Sequence, residues 1–251
     1  MKNINGRAAG IISAALFWLL VWEAASLAVG SSLIFPGPVD TIASLVSLTG
    51  SSDFYISLGR TLIRVFGGVI LSVVLGILFG ILSGFCKPVY HVVSPAVSVV
   101  RSLPVVSVII LLNLWLKSGI VPLAVTFFVC FPITWTNVVE GIRSTDSLLI
   151  EMAGLYRVPL VRQLRDLYLP SLRPYITASV MNAVGMGWKS TVTAEVLAAA
   201  RPSVGMNLYY SKLYLETPQL FAWTVALVIC SMLIEQLIKF LLKRCWKTGE
   251  S

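Results

Sequence analysis

Six long runs of apolar residues constrain this 251-residue chain more than any single motif does. A helix of about 20 apolar residues crosses the hydrocarbon core of a bilayer, which is about 30 Å thick. With 57% hydrophobic and only 12% charged residues, the chain is far more apolar than a soluble domain. We therefore predict an all-α integral membrane protein with about six transmembrane helices, forming a single domain over residues 1–251. The predicted spans are residues 11–29, 65–85, 92–116, 121–139, 176–199 and 220–242.

The basic residues indicate how these spans are oriented. The net charge is +8, and the lysines and arginines are spread over short loops and chain ends. With six spans, most of the 19 basic residues fall on the side of both termini and of a polar segment at residues 143–175. Short loops rich in Lys and Arg stay on the cytoplasmic side of a membrane. Both termini and this segment are therefore predicted to be cytoplasmic, and no nucleic-acid partner is needed to explain the charge.

The polar segment at residues 143–175, called the central loop below, separates two groups of spans. Its first part has apolar residues at the spacing of one helix face, and Ser144 or Asp146 is suited to cap that helix. Pro159 forbids continuation of this helix but suits the first turn of a second one. We predict two short helices joined by a bend at residues 157–159. The predicted apolar faces are Leu148, Met152, Leu155 and Tyr156 on the first helix, and Leu160, Leu164, Leu167 and Tyr168 on the second.

The order of residues in the central loop resembles that of a known family. Glu151 and Ala153 are followed by Leu169-Pro170 and then by Pro174-Tyr175-Ile176. This order is similar to the EAA motif of ABC-importer permeases, the membrane subunits of binding-protein-dependent uptake systems. The resemblance implies a coupling helix that rests in a groove of a separate cytoplasmic ATPase. The implied coupling residues are Glu151, Met152, Ala153, Gly154, Leu155, Tyr156 and Arg157.

Two positions depart from the family pattern. Met152 replaces the middle alanine of the EAA triplet, and Arg157 stands at the bend, where the family usually has glycine. Two explanations are open. Either Gly154 and Pro159 make the turn in another way, or the contact with the ATPase is altered.

Motifs outside the central loop resemble the branch of this family that imports nitrate, sulfonates, taurine and related compounds. The branch also contains transporters of pyrimidine and other vitamin precursors, so the substrate stays open between a small anion and such a precursor. The resemblance implies a type I importer (MetI-like) permease fold in a bacterial inner membrane, with two permease copies flanking the pathway. It also implies an ATPase dimer that binds ATP and Mg, and an extracytoplasmic binding protein. The matching motifs are Phe35-Pro36-Gly37-Pro38, Ser57-Leu58 with Arg60 and Arg64, Ser94-Pro95, Arg101-Ser102-Leu103-Pro104, Phe131-Pro132-Ile133, Trp188 and Ala194-Glu195.

Three ionisable residues are candidates for the substrate pathway, because charges within a span are costly and usually face a cavity or a partner. Arg101 and Lys189 lie within predicted spans, and Lys189 would attract an anionic substrate. The structural alternative for Lys189 is an ion pair on another helix. Glu195 matches a glutamate of the family that helps to close the outer gate or fixes the helix. The alternative partners of Lys189 are Glu23, Glu140 and Glu235.

Other functions lack a matching set of residues. Gly187 and Lys189 are separated by Trp188 and follow no strand, so this stretch is not a phosphate-binding loop. His91 stands alone, and the cysteines have no metal-ligand spacing, so we predict free thiols, no metal site, no cofactor in this chain and no catalytic residues. A proton-coupled secondary transporter is the main alternative function, and an intramembrane enzyme is the weakest one. The four cysteines are Cys86, Cys130, Cys230 and Cys245.

Two further patterns predict packing. Gly76, Gly80 and Gly84 repeat every four residues, which places them on one helix face where another helix backbone can come close. The aromatic residues between the last two spans fit an interfacial belt, with a docking surface for a binding protein as the alternative. These aromatic residues are Tyr209, Tyr210, Tyr214 and Phe221.

Overall fold

A computed structural model of the chain describes residues 2–247, and this part is built from helices. A short π-helical segment, Leu164–Tyr168, joins α8 to α9 without a break. The all-α prediction is therefore confirmed. In chain order the helices are α1 (Lys2–Val29), α2 (Pro38–Thr49), α3 (Ser52–Phe85), α4 (Lys87–Ser102), α5 (Val105–Trp115), α6 (Val121–Arg143), α7 (Ser147–Leu155), α8 (Leu160–Gln163), α9 (Leu169–Leu197), α10 (Val204–Leu213) and α11 (Thr217–Lys247).

The centre of the fold is the contact between α3 and α6, which the glycine repeat makes possible. A Cβ atom added to Gly76 would lie 2.6 Å from Cβ of Thr134, and one added to Gly80 would lie 2.7 Å from Cβ of Val138. Gly84 faces Ile142 in the same way. The paired numbers rise together, so α3 and α6 run parallel. The predicted close packing along this glycine face is confirmed.

Helix α9 completes the core by packing against both α3 and α6. A Cβ atom on Gly187 would lie 2.7 Å from Cγ2 of Val69 and 3.2 Å from Sγ of Cys130. The Cys130 thiol donates a hydrogen bond to the Ala183 carbonyl, with 3.2 Å between Sγ and O. Farther along, Gly141 of α6 faces Leu172 near the start of α9, so these two helices are antiparallel.

The number of spans depends on how polar helices are counted. Within residues 2–247, three helices are long and apolar enough to cross a membrane: α3, α6 and the part of α11 at Thr217–Leu242. Helices α4 and α5 make a fourth if the pair is one broken span. The apolar part of α1 is Ser13–Val29, and α9 is about 43 Å long but is more polar than these three helices. The predicted count of about six therefore includes α1 and α9.

The predicted third span at residues 92–116 is divided between two helices, with the break directly before Pro104. Helices α4 and α5 meet at 104°, and Leu103 between them has an extended ψ of 131°. The residue before a proline is driven from the helical region by the proline ring, which explains the break at Leu103 before Pro104. Residues 87–91, between the second and third predicted spans, form the first turns of α4 and are not a separate connection.

Two helices begin earlier in the chain than the predicted spans, and the last connection is partly helical. Helix α3 begins at Ser52, where Ser51 Oγ accepts a hydrogen bond from the Phe54 amide, so residues 53–64 continue directly into the span. Helix α9 begins at Leu169 instead of residue 176, because Pro170 occupies its first turn, where no amide donor is needed. The connection between the last two predicted spans contains α10, whose start is capped by Ser203. Helix α2 follows the Phe35-Pro36-Gly37-Pro38 motif directly, with Pro38 in its first turn.

Candidate functional site

Helix α7 and the two residues after it, Tyr156 and Arg157, carry the predicted coupling residues, most of which are exposed. The Asp146 carboxylate caps its start by accepting a hydrogen bond from the Leu148 amide at 2.9 Å. Among the seven predicted coupling residues, Ala153 is buried, whereas Leu155 is 82% and Tyr156 78% exposed. Because the central loop is predicted to lie in the cytoplasm, these exposed apolar side chains face water unless a partner covers them, which is typical of an interaction surface. The Glu151 side chain is also exposed on this helix.

The end of α7 explains the arginine at the bend. Arg157 has a φ of +49°, the left-handed conformation that glycine adopts most easily. Its amide donates to the Gly154 carbonyl at 3.1 Å, and the Val158 amide donates to the Ala153 carbonyl at 2.9 Å. This pair of bonds is a Schellman motif, which closes a helix with a left-handed residue. The predicted bend is confirmed, and Arg157 makes it in the position where the family has glycine.

Helix α7 is joined to the core through α8 and the π-helical segment. The Gln163 side-chain amide donates to the Val158 carbonyl at 2.8 Å, which ties the bend to α8. From Leu160 to Leu197 the backbone is helical without interruption, so the central loop leads directly into α9. At the base of α9, the Tyr168 ring contacts the Phe85 ring of α3, with 4.8 Å between centroids. The predicted second apolar face of the central loop belongs to this continuous helical connection.

One face of α9, a predicted membrane span, carries polar side chains that no other described part of the chain covers. Asn182, Lys189 and Thr193 lie seven and four residues apart, which places them on one side of the helix, and each is exposed. Among the described residues, Lys189 forms no ion pair, and Glu235 pairs instead with Lys239 at 3.7 Å. The alternative in which Lys189 pairs with Glu23, Glu140 or Glu235 of its own chain is therefore wrong. A charged face of this kind is unstable against lipid and requires water or protein beside it.

Arg101, another predicted pathway residue, lies on α4 and not on the polar face of α9. It occupies the last turn of α4, directly before the bend at Leu103, and its side chain is exposed. In the part of the chain that the structure describes, Arg101 makes no ion pair with Glu195 or with another carboxylate. Its predicted place on the pathway remains a prediction.

Glu195 lies in a closed polar network at the end of α9. The side chain is fully buried, and its carboxylate accepts hydrogen bonds from Arg64 Nη1 at 2.8 Å and from the Thr61 hydroxyl at 2.9 Å. The Gly205 amide of α10 donates a third bond at 3.2 Å. Arg64 donates in addition to the Gly119 carbonyl at 3.1 Å. This geometry favours the alternative in which Glu195 fixes the helix.

Sequence reasoning missed most of the Glu195 network. Arg64 entered the sequence analysis only as part of a family motif, and its burial, at 8% exposed, was not predicted. Gly205 allows the close approach of α10, because a Cβ atom there would lie 2.6 Å from Cβ of Glu195. Opposite charges at Arg64 and Glu195, each within or beside an apolar stretch, are the sequence signal that could have predicted this buried pair. Thr61 gave no such signal.

The sequence predicted free cysteine thiols and no metal site, and both predictions concern residues outside the Glu195 network. Within the described residues, no group of three or more His, Cys, Asp or Glu side chains could hold a metal ion. Cys86, Cys130 and Cys230 are free thiols, as predicted. The Cys245 side chain lies outside the part that the structure describes.

The aromatic residues near the last span divide into two groups. Phe221 packs between Trp22 of α1 and Phe35, with ring centroids 6.0 and 5.5 Å away. Tyr210 stacks with Tyr214 at 6.1 Å. Phe221 therefore joins α1 to α11, whereas the tyrosines form a surface of α10.

Comparisons with known proteins agree with the resemblance found in the sequence. The family described as "binding-protein-dependent transport system inner membrane component" matches residues 72–246. A protein of Escherichia coli K12 named putative aliphatic sulfonates transport permease is 30% identical over 234 residues, which cover 90% of this chain and 86% of that protein. A Bacillus subtilis 168 protein of the same name is 26% identical over 238 residues, covering 93% and 85%. The taurine transport system permease of Escherichia coli K12 is 24% identical over 229 residues, covering 89% and 83%.

Proposed function

The chain belongs to the family of binding-protein-dependent transport system inner membrane components, and from this premise we propose that it forms the substrate pathway of an ATP-driven importer. The family match confirms the ABC-importer permease resemblance and, with the helical structure, the MetI-like fold class. In this proposal the chain makes and breaks no bonds. ATP and Mg are bound by a separate cytoplasmic ATPase dimer.

The exposed surface of α7 is the observation that carries the coupling proposal. Leu155 and Tyr156 project from a helix whose end is closed by Arg157 and whose continuation is α9. When the ATPase dimer closes on ATP, a groove that holds α7 would shift the central loop as a rigid piece. Because the helix from the bend to Leu197 is continuous, this shift would reach the core without a flexible joint. Rigid-body movement of packed helices is a common way to switch access between two sides of a membrane.

The polar face of α9 supports the pathway proposal. A second copy of the chain facing α9 across a water-filled space would keep Lys189 away from lipid. Two copies would then place two lysine cations along the pathway and favour an anionic substrate. The names of the relatives point to aliphatic sulfonates and taurine, so we propose a small sulfonate as the cargo. Nitrate and a vitamin or pyrimidine precursor are the alternatives that the sequence left open.

The remaining partners follow from the same proposal. An extracytoplasmic binding protein would deliver the cargo to the side opposite the central loop, with both termini of the chain in the cytoplasm of a bacterial cell. The rival function, proton-coupled transport, needs a carboxyl group that exchanges protons along the pathway. Glu195 is a poor candidate, because it is buried and bound to Arg64, Thr61 and Gly205.

Purification from the native host in mild detergent tests the coupling proposal. We expect an ABC ATPase to accompany the wild-type protein, and we expect Glu151→Arg and Leu155→Asp to reduce its recovery strongly. Both side chains are exposed, so neither change removes a packing contact of this chain. Glu140→Arg is the matched control, because it reverses an exposed charge on α6 outside the coupling helix.

Two results would contradict the proposal. One is the absence of an ATPase even after crosslinking of the wild-type protein. The other is undiminished recovery of the ATPase with both α7 variants while the proteins remain folded. Uptake by the chain alone, driven by a proton gradient, would then support the rival function.

A further inference from the structure

A polar groove lies at the end of the helix bundle opposite the central loop. It has a volume of about 610 Å³ and is bounded by the junction of α2 and α3, by α10 and by the start of α11. A smaller cavity of about 210 Å³ lies beside it. Asp53, Arg201, Asn207 and Tyr210 line both spaces. The groove has the size of a small-molecule site, which typically measures about 300–1,000 Å³.

Unpaired charges of both signs line this groove. Asp53 and Glu216 supply carboxylates, and Arg201 supplies a guanidinium group. In the described part of the chain, none of the three forms an ion pair. The Arg201 guanidinium is held over the Tyr210 ring, with 4.5 Å from Cζ to the centroid. One orientated cation and two carboxylates therefore remain available to a molecule that carries both an acid group and an ammonium group.

Tyr210 adds a hydrogen-bonding group that the protein itself does not use. Its hydroxyl oxygen is buried and has no hydrogen-bond partner among the described residues. Buried hydroxyl groups are normally paired, because an unpaired one loses its bond to water and gains nothing in return. The ring is stacked on Tyr214 and contacts Arg201, so the position of this hydroxyl is set by its neighbours. It is suited to donate to the same acid group that Arg201 would bind.

We propose that this groove, made by Asp53, Arg201, Tyr210 and Glu216, is a binding site for a small zwitterion on the permease itself. Arg201 and Tyr210 hold the acid group, while Asp53 and Glu216 hold the ammonium group. The inference rests on the proposed function in one respect, since the zwitterion would be the transported substrate, bound at the extracytoplasmic entrance of the importer. It goes further by predicting that amino-substituted sulfonates bind here better than simple alkanesulfonates.

Direct ligand binding tests the site without any binding protein. The permease is purified with its ATPase into lipid nanodiscs, and binding of 2-aminoethanesulfonate is measured by titration calorimetry. Ethanesulfonate lacks the ammonium group, and ethylamine lacks the acid group. We expect each of these two probes to bind about tenfold more weakly, because each loses its charge-assisted hydrogen bonds at one end.

Two variants and a control locate the binding. Arg201→Gln should weaken binding of 2-aminoethanesulfonate about tenfold. Tyr210→Phe should weaken it several-fold while leaving the melting temperature without ligand unchanged or higher, because an unpaired buried hydroxyl is removed. A purely structural tyrosine would instead lower that melting temperature. Lys212→Gln is the matched control, since it removes an exposed cation of α10 that does not line the groove.

The proposal is overturned if no probe binds the wild type, if ethanesulfonate binds as tightly as 2-aminoethanesulfonate, or if neither variant changes the affinity. It is also overturned if the variants impair uptake only when a binding protein is present and leave direct binding intact. That result would make the groove a protein-docking surface. Recovery of the ATPase in the same preparation separates failure of this site from failure of the proposed function.

Discussion

Arg64 on α3 and Glu195 on α9 form a buried ion pair, with 2.8 Å between Nη1 and Oε1. The two residues are 131 positions apart in the chain. Arg64 Nη1 also donates to the Pro202 carbonyl at 3.1 Å, and the Thr61 hydroxyl accepts from the Val204 amide at 3.1 Å. This end of the bundle is therefore joined by side-chain bonds between α3, α9 and the start of α10.

Removing one partner of this ion pair should strongly destabilise the protein. We expect Arg64→Met or Glu195→Met to cost about 3–5 kcal/mol, because each leaves the other charge buried and unpaired. The double variant should cost much less than the sum of the two. Thermal unfolding in detergent measures these differences. Arg60→Met, one helical turn away and exposed, serves as the control. Additive losses in the double variant would argue against coupling of the two charges.

Two glycines of the same helix should respond in opposite directions to alanine. At Gly80 an added Cβ would lie 2.7 Å from Cβ of Val138, so Gly80→Ala should destabilise the protein by about 1–3 kcal/mol. At Gly59 nothing lies within 4 Å of the added atom. Gly59→Ala should therefore stabilise α3 by about 0.5–1 kcal/mol, through the lower backbone entropy of alanine. Unfolding midpoints compare the two, and equal effects would refute the close contact of α3 and α6.

Replacing Arg157 by glycine should stabilise the bend after α7. A left-handed residue other than glycine costs about 1–2 kcal/mol, and glycine relieves this cost. We expect hydrogen exchange of the Arg157→Gly variant to slow about fivefold at the Val158 amide, as a gain of about 1 kcal/mol implies. Arg162→Gly is the control, because glycine inside α8 should speed exchange instead. Unchanged or faster exchange in Arg157→Gly would contradict a left-handed bend at this residue.

Neutralising Lys189 should weaken uptake of an anionic substrate while the complex still assembles. Lys189→Met removes the exposed cation of α9, and we expect the half-saturating concentration to rise about tenfold, the effect of about 1.4 kcal/mol. This concentration is measured as uptake of the substrate into proteoliposomes that contain the permease and the ATPase, with the binding protein added. Lys117→Met removes an exposed cation outside α9 and is the control. Full uptake affinity in Lys189→Met would remove this residue from the substrate path.

The features that sequence reasoning predicted correctly depend on short stretches of chain. Apolar runs identify membrane helices because each side chain there faces either lipid or the apolar interior of the helix bundle. The glycine repeat in α3 predicted close packing, because spacing by four residues aligns positions on one face. Pro159 predicted the end of a helix in the central loop, since a proline lacks the amide donor. The family resemblance identified the importer class, which the match over residues 72–246 confirms.

Other features were visible only when the helices were assembled. Pro104 explains locally why α4 ends before it, but the angle of 104° between α4 and α5 depends on how the two helices pack. The sequence left two explanations for Arg157, and only its φ of +49° identifies it as the residue that makes the turn. Lys189 had three candidate partners, and among the described residues it forms an ion pair with none of them.

The sequence by itself determined that this protein is a helical membrane protein, because hydropathy, helix periodicity and proline act over one or two helical turns. The importer family came from the resemblance of its motifs to a known family, not from these local patterns. Tertiary structure alone decided which charges meet. Arg64 and Glu195 are brought together by the packing of α3 against α9, and Arg201 is placed over Tyr210 by the turn before α10. The first pairing joins residues far apart in the chain, and the second crosses a turn of irregular backbone. Their geometry depends on how side chains pack throughout the contact between the helices, so local sequence spacing does not predict it.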